Sequence, residues 1–343
     1  MKHKIQINNL QAEYKAIKKE IDDDVKRVKS LPLVSFLMPT YNRSNLVRQA
    51  IDSILSQTYK NIEVIVIDDA STDDTEDVLK KVFGNRVRYY KNNINKGISY
   101  SRNLGLRYST GKYIGLLDSD DILLKSNYVE TALKIMEFNP EIYVFTSDAY
   151  CIDLKGNKIC EKTFFETTID HRNIRLSSGI KDFDYIFFHG VHSCGAIFRR
   201  DISGEIGFLS SDYKITWDED FFLKVSTYKP GSIYYQNEPS LGYRIHVGNI
   251  SKNLSTLYLE RIKCRQDVLH KNKSIRKRLG NRANKRLAEL YLCLIDAYLK
   301  EGNGRASVSA IFRSIFLYPL IFQRLFNHGV SISKRILSKG FKG

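Results

Sequence analysis

The stretch LVSFLMPTYNRSNLVRQAIDSILSQTYKNIEVIVIDDAS, Leu33 to Ser71, sets two apolar, β-prone runs on either side of a segment with helical period. The first run, Leu33 to Asn42, is stopped by Pro39, and the second, Ile62 to Ser71, by Asp68 and Asp69. Between them Leu46, Val47, Ala50, Ile51, Ile54 and Leu55 recur at spacings of one helix face. Working outward, Thr72 to Phe83 reads as a weaker helix capped by Ser71, Thr72 or Asp73, Val87 to Asn92 as a third strand, and GKYIGLLDSDD, Gly111 to Asp121, as a fourth. Strands that are apolar throughout and alternate with helices specify an α/β fold with a mainly parallel central sheet covered on both faces.

In such sheets ligands bind beyond the carboxyl ends of the strands. Three of the four runs end in polar clusters there: PTYNR (39–43), DDAS (68–71) and DSDD (118–121). Carboxylates crowded at one rim repel each other, and a divalent cation offsets that repulsion. Hard oxygen donors favour Mg²⁺ or Mn²⁺ completed by water and substrate phosphates, and Asp118 and Asp120 reach one site if the chain leaves strand geometry between them. Taken alone, acidic residues after a strand serve equally as turn formers or helix caps.

The order and spacing of three segments carry more. VSFLMPTYNRSNLVRQAIDSILSQTYKNIEVIVIDDASTDDT (34–75), NKGISYSRNLGL (95–106) and GKYIGLLDSDD resemble the nucleotide-sugar-binding half of the family 2 glycosyltransferases. The resemblance spans about Leu33 to Ser251. It implies the GT-A fold, inversion at the anomeric carbon, and a nucleotide-diphosphate sugar donor, most simply a UDP-sugar. By the same resemblance Pro39, Tyr41 and Asp69 hold the nucleoside, with Tyr41 against the ring and Asp69 near the base edge. Asp118, Ser119 and Asp120 form the D-x-D motif, Asp118 near the ribose and Asp120 on the metal, and Arg102 meets the diphosphate.

Single displacement requires a base for the acceptor hydroxyl on the face opposite the leaving group. WDEDFFLKVS (217–226) offers Asp218, Glu219 and Asp220. The family's acidic helix start assigns Asp220 as base and Glu219 as the residue orienting the acceptor; a charged helix start favoured by the macrodipole is the plain alternative. Trp217, the single tryptophan, is a candidate sugar platform or a packed core residue. GVHSCGAIFRRDI (190–202) resembles the acceptor-side segment, where His192 and Ser193 are candidates. LGYRIHVGNIS (241–251) matches a Y-R-x-H element, with Arg244 and His246 as partners of diphosphate or metal, His246 preferred as the metal ligand, and core histidine as the alternative.

Composition bounds the rest. With 343 residues, 43% hydrophobic and 27% charged, the chain suits one large α/β domain and an appendage. The expected division is an N-terminal helical extension (1–32), a catalytic domain (33–252) with donor half 33–121 and acceptor half 122–252, and a helical basic region (253–343). Asn8 to Lys29 reads as an amphipathic helix for packing on the main domain or a second copy, which leaves a homo-oligomer open. Five scattered cysteines without a C-x-x-C pair suggest neither a disulfide framework nor a zinc site. The polar start suggests no signal peptide and hence a cytoplasmic protein.

The net charge of +16 is concentrated after Asn253, where 19 Lys and Arg face five Asp and Glu. There, 257–270 and 282–300 read as helices joined by the cationic KNKSIRKRLGNR, followed by SAIFRSIFLYPLIFQRLF (309–326). Arg313, Pro319 and Arg324 interrupt that last segment, so it reads as interfacial rather than spanning, with basic neighbours suited to an anionic membrane surface and a saccharide or lipid-linked acceptor. An ordinary helical subdomain with a solvated basic surface is the alternative.

Rival readings are weaker. A sugar nucleotidyltransferase needs a glycine- and arginine-rich phosphate loop after the first strand, where this chain has PTYNRSN. A nucleic-acid-binding protein is disfavoured by acidic strand ends and by aliphatic rather than aromatic interleaving of the tail's charges. An inactive scaffold is disfavoured because both carboxylate motifs are intact.

Overall fold

The computed structural model describes residues 18, 31–169, 177–191 and 193–321. Apart from Lys18, the N-terminal helix expected at Asn8 to Lys29 lies outside the described residues, as do the end of the tail and His192. The chain divides into two compact units, one comprising residues up to 179, 192–205 and 234–244, the other 180–191, 206–233 and 245 onward.

In chain order the elements are β1 (Val34–Thr40), α1 (Ser44–Leu55), β2 (Ile62–Asp68), α2 (Thr75–Phe83), β3 (Arg88–Lys91), α3 (Ile98–Tyr108), β4 (Tyr113–Leu116), β5 (Ile122–Leu123), α4 (Tyr128–Phe138), β6 (Val144–Ile152), β7 (Lys158–Thr163) and α5 (Phe164–Ile169). They continue with β8 (Gly179–Lys181), α6 (Phe183–His189), β9 (Ile197–Arg199), α7 (Asp201–Ile206), α8 (Trp217–Tyr228), β10 (Ile233–Arg244), α9 (Leu254–Lys271), α10 (Lys273–Leu279), α11 (Asn281–Lys300) and α12 (Gly304–Leu317).

The first unit is built on a sheet in the order β3-β2-β1-β4-β9-β6-β10-β5, with β7 paired to β6. Strands β3, β2, β1 and β4 are parallel to their neighbours. Past β4 the pairing turns antiparallel, at β4 with β9, β9 with β6, and β10 with β5. The parallel half follows from the apolar runs: every residue of β1 is buried, as are the last five of β2. Val47, Ala50, Ile51 and Ile54 of α1 pack with Phe36, Met38, Val64 and Val66 in the core. At Gly115 of β4 a Cβ would come within 2.6 Å of the Phe36 ring, so this β-prone run contains a glycine where the ring crosses the strand. The antiparallel half lacked a clear signal because its strands mix polar and apolar residues, as the surface strand β7 illustrates.

Register brings the strand ends together. Thr40 pairs with Asp68 and Leu37 with Leu116, so the three residues after Leu116 reach the same rim as Thr40 and Asp68. The Asp69 N–H donates to the Thr40 carbonyl (2.8 Å) and carries the pairing past the strands.

The second unit is mostly helical. On α12 the small residues Ser307, Ala310 and Ser314 are the buried ones, and Ser314 Oγ donates to the Ala288 carbonyl of α11 (3.1 Å). The cationic stretch expected to be a plain connection instead folds as α10. Leu279 is buried at its end, and Gly280, at φ +52°, donates its N–H to the Arg276 carbonyl (3.0 Å), a termination that suits glycine. No helix among the described residues is long and apolar enough to cross a membrane.

Candidate active site

Strand β4 ends at Leu116 and the chain turns sharply, with the Asp121 N–H donating to the Asp118 carbonyl (3.0 Å) before β5 begins. This departure from strand geometry gathers what alternation would have separated: carboxylate oxygens of Asp118, Asp120 and Asp121 lie within 4.8 Å of one another. Asp120 and Asp121 are buried and Asp118 is partly exposed.

Each aspartate meets an arginine from a different element. Arg102 of α3 pairs with Asp118. Arg43, on the β1–α1 connection, pairs with Asp120 at 2.9 Å and donates to Ser119 Oγ (3.4 Å). Arg244, at the end of β10, donates its backbone N–H to Asp121 Oδ1 (2.8 Å). Its side chain donates to the carbonyls of Asp120 and Asp153 (2.7 Å each) and to Gln49 Oε1 (3.1 Å). Arg244 is fully buried, so its guanidinium braces the acidic turn rather than reaching for a diphosphate, as the Y-R-x-H element had suggested. Burial, followed by the charges of Asp120 and Asp118, pushes the Asp121 carboxyl well above the usual carboxylate range. The buried Cys194 thiol bonds to it and is itself pushed up by burial and by Asp121. Three convergent hard-oxygen donors, one strained by its neighbours' charge, fit a divalent cation.

The loops after β1 and β2 are stitched into one wall. Asn42, at φ +50°, accepts at Oδ1 from the N–H groups of Thr72 (2.8 Å) and Asp73 (3.3 Å) and donates its own N–H to Ser71 Oγ (2.8 Å). Ala70 is held at φ +69°, a conformation costly for alanine and sustained by these bonds. Of the three residues offered as caps for α2, Asp73 is the one bonded to the helix start, accepting from the Thr75 N–H (3.1 Å), and it also accepts from the Ser44 N–H (3.2 Å). Asn42 was not singled out from the sequence; its signal is that asparagine tolerates positive φ better than other non-glycine residues.

Pro39 is buried in β1 and Tyr41, 46% exposed, projects from the following loop. Asp69 is buried, and its carboxylate accepts from Asn92 Nδ2 (2.8 Å) and from the N–H groups of Lys96 (2.9 Å) and Gly97 (2.7 Å). Asp69 thereby fixes the loop leading to α3, the helix that carries Arg102; any base-edge contact must share a carboxylate already accepting three bonds.

In the second unit α8 opens with the acidic cluster. Glu219 is buried, with Arg261 Nε at 2.6 Å on one oxygen and Arg265 on the other. Burial alone would raise its pKa, but the two guanidiniums win and hold it at about 2. Glu219 is thus the anchor of α8 on α9, which corrects its expected role of orienting an acceptor: both oxygens are occupied by arginines. Glu260 braces the approach to the helix, accepting from the N–H groups of Lys214, Ile215 and Thr216 (2.8–3.0 Å). Asp220 is mostly buried, with Lys224 Nζ 2.6 Å from Oδ2; burial raises its pKa above the ordinary value against the pull of Lys224. Trp217 is 5% exposed, so its indole is packed and has no open face for a sugar. His246 is partly exposed; its Nδ1 accepts from the Gly248 N–H (3.1 Å) and its backbone N–H donates to Asn249 Oδ1 (2.6 Å), so the ring braces its own loop, which corrects its expected role as a metal ligand beside Asp120. Ser193 accepts the Ala196 N–H at its carbonyl (3.0 Å).

A parallel sheet with an aspartate turn after its fourth strand and an antiparallel extension beyond it defines the GT-A class of fold. Residues 35–207 match the model of glycosyl transferase family 2, and the chain belongs to that family. An uncharacterized glycosyltransferase of Rickettsia prowazekii is 33% identical over 220 residues, covering 63% of this chain and 64% of that protein. The UDP-Glc:α-D-GlcNAc-diphosphoundecaprenol β-1,3-glucosyltransferase WfaP of Escherichia coli is 27% identical over 271 residues, covering 79% of this chain and 96% of WfaP. Among solved structures, the mannosyltransferase PcManGT of Pyrobaculum calidifontis, in complex with GDP-Man and Mn²⁺, shares the fold with a TM-score of 0.54 at 15% identity, covering 88% of this chain and 89% of that one. The chain thus spans just under two thirds of the length of the Rickettsia relative.

Proposed function

We propose that the protein is an inverting, metal-dependent glycosyltransferase that moves a hexose from a UDP-sugar to a saccharide or lipid-linked acceptor in surface polysaccharide biosynthesis. The observation that carries the reading is the turn at Asp118 to Asp121, three carboxylates braced by arginines at the carboxyl end of a parallel sheet. The names of WfaP and PcManGT support a nucleotide-sugar donor, and that of WfaP a lipid-diphosphate acceptor. The proposed catalytic domain is 33–252, divided into donor and acceptor halves at Asp121, with 1–32 and 253–343 appended.

In this reading Tyr41 stacks on the base, Pro39 and Asp69 shape the nucleoside site, Asp118 lies near the ribose with Ser119 beside it in the motif, and Arg102, buried and paired with Asp118, acts on the diphosphate site through that carboxylate. Asp120 would hold Mn²⁺ or Mg²⁺ with its neighbours in the acidic turn, and the ion when bound would supply neutralisation of charge on the leaving diphosphate. Asp220 takes the proton from the acceptor hydroxyl; its raised pKa makes it a stronger base than an ordinary aspartate. Glu219 fixes Asp220 by anchoring α8, and His192 and Trp217 belong to the acceptor side, Trp217 as packing. The test separates the two carboxylates: Asp120→Asn weakens metal-dependent UDP binding, whereas Asp220→Asn leaves it intact and abolishes transfer. Equal loss of donor affinity in both refutes the assignment.

The C-terminal region is read as a contact with an anionic membrane surface at the inner face of the cell. What supports this is α12 with the turn after it: Val308, Phe312, Phe316 and Leu320 are 52–88% exposed at every fourth position, flanked by the exposed Arg305 and Arg313. Large apolar groups outward, small ones inward and basic neighbours suit the headgroup boundary of anionic lipid.

A further inference from the structure

The three arginines around the acidic turn are not equivalent. Arg102 and Arg244 are 1% and 0% exposed, and Arg244 is held by three side-chain hydrogen bonds. Taking either from its partners leaves an uncompensated buried charge. Arg43 differs. Its side chain is 23% exposed, it stands on a loop beside Asn42 at positive φ, and it reaches the turn through Asp120 Oδ1 and Ser119 Oγ. Its guanidinium lies 2.9 Å from an oxygen of Asp120, the carboxylate assigned to the metal in the reading above, so it competes for the same lone pairs. Two cations on one aspartate also repel each other.

From this juxtaposition we infer that Arg43 is the exchangeable counter-ion of the metal site. It neutralises Asp120 while the site has no nucleotide, and it passes to the diphosphate when metal and donor enter together. The exchange conserves pairing, since a guanidinium that leaves a carboxylate finds phosphate oxygens of matching geometry. Metal alone must displace Arg43 without giving it a new partner, so it binds weakly. Metal with nucleotide meets no such opposition. Because coupling is reciprocal, the factor by which UDP tightens Mn²⁺ equals that by which Mn²⁺ tightens UDP, and Arg43 sets part of that factor.

The inference rests on the metal-dependent reading, and the experiment keeps the two apart. Free Mn²⁺ is followed by its electron paramagnetic resonance signal during titration of the full chain, with and without UDP, for the wild type, Arg43→Gln, Arg43→Lys and Asp120→Asn. The expected result is that Arg43→Gln binds Mn²⁺ alone about fivefold more tightly, as removal of a partly exposed ion pair allows, and that the UDP-dependent gain shrinks by a similar factor. Arg43→Lys stays close to the wild type, because the ammonium still competes. A tighter site does not arise from misfolding, so a gain in affinity is diagnostic. If Asp120→Asn loses Mn²⁺ while Arg43→Gln binds it unchanged or more weakly, the exchange is wrong and the metal site stands. If the wild type binds no Mn²⁺ even with UDP, both fall.

Discussion

Glu219→Gln isolates the force that positions Asp220. The carboxylate is buried between Arg261 and Arg265 and its pKa falls from 4.5 to about 2. At ~1.4 kcal/mol per unit, that shift corresponds to about 3 kcal/mol of preferential stabilisation of the charged form. The amide keeps the shape but leaves two guanidiniums without a counter-charge, and breaking one partner out of a buried pair costs about 3–5 kcal/mol. For a folded unit of about 150–250 residues each kcal/mol lowers the thermal midpoint by roughly 2–4 °C, so a loss of about 3–5 kcal/mol should lower the variant's midpoint roughly 6–20 °C below the wild type at pH 7. The sign with pH follows from linkage: a carboxylate with a depressed folded pKa contributes fully above its unfolded value of 4.5 and loses that contribution as pH falls toward about 2. Differential scanning calorimetry from pH 7 down to pH 3 should therefore show the gap between wild type and Glu219→Gln closing in acid. A midpoint within about 2 °C of the wild type at pH 7, or a gap independent of pH, refutes the claim that this ion triad holds the helix start.

Arg244→Met removes the three side-chain bonds that brace the Asp118–Asp121 turn while keeping the backbone N–H to Asp121; Mn²⁺-dependent UDP binding measured by calorimetry should weaken about 10- to 100-fold, as for lost partners of metal ligands generally. The pair Phe312→Glu and Phe316→Glu removes two apolar side chains, 69% and 88% exposed, from the proposed lipid face; flotation with phosphatidylglycerol vesicles should fall by at least about tenfold with UDP binding unchanged.

The readable parts of the fold were those whose local pattern matches their final environment. Strands β1 and β2 are buried on both faces and therefore apolar at nearly every position, and α1 buries one stripe at helical spacing. The DSDD turn was legible because a β-prone run cannot absorb three aspartates in four positions, so the chain had to leave the strand there. Arg102 and Asp120 were named from motif order alone, and both stand at the turn. By contrast, α10 was missed because its many charges hid a short helix closed by Gly280, and for Trp217 the sequence left sugar platform and packed core both open, because a residue's burial is not written in its identity.

What the sequence determined by itself was the alternation of apolar runs and helices, the acidic ends of those runs, and membership of a family, because periodicity and spacing are local and survive in one dimension. Only the tertiary structure decided which charge answers which. Arg43, Arg102 and Arg244 are scattered over some two hundred residues, yet they converge on one four-residue turn, and Arg261 and Arg265 close on Glu219 from more than forty residues away. The reason is electrostatic: a buried charge requires a partner in space, and many positions along a chain can supply one. Folding selects among them.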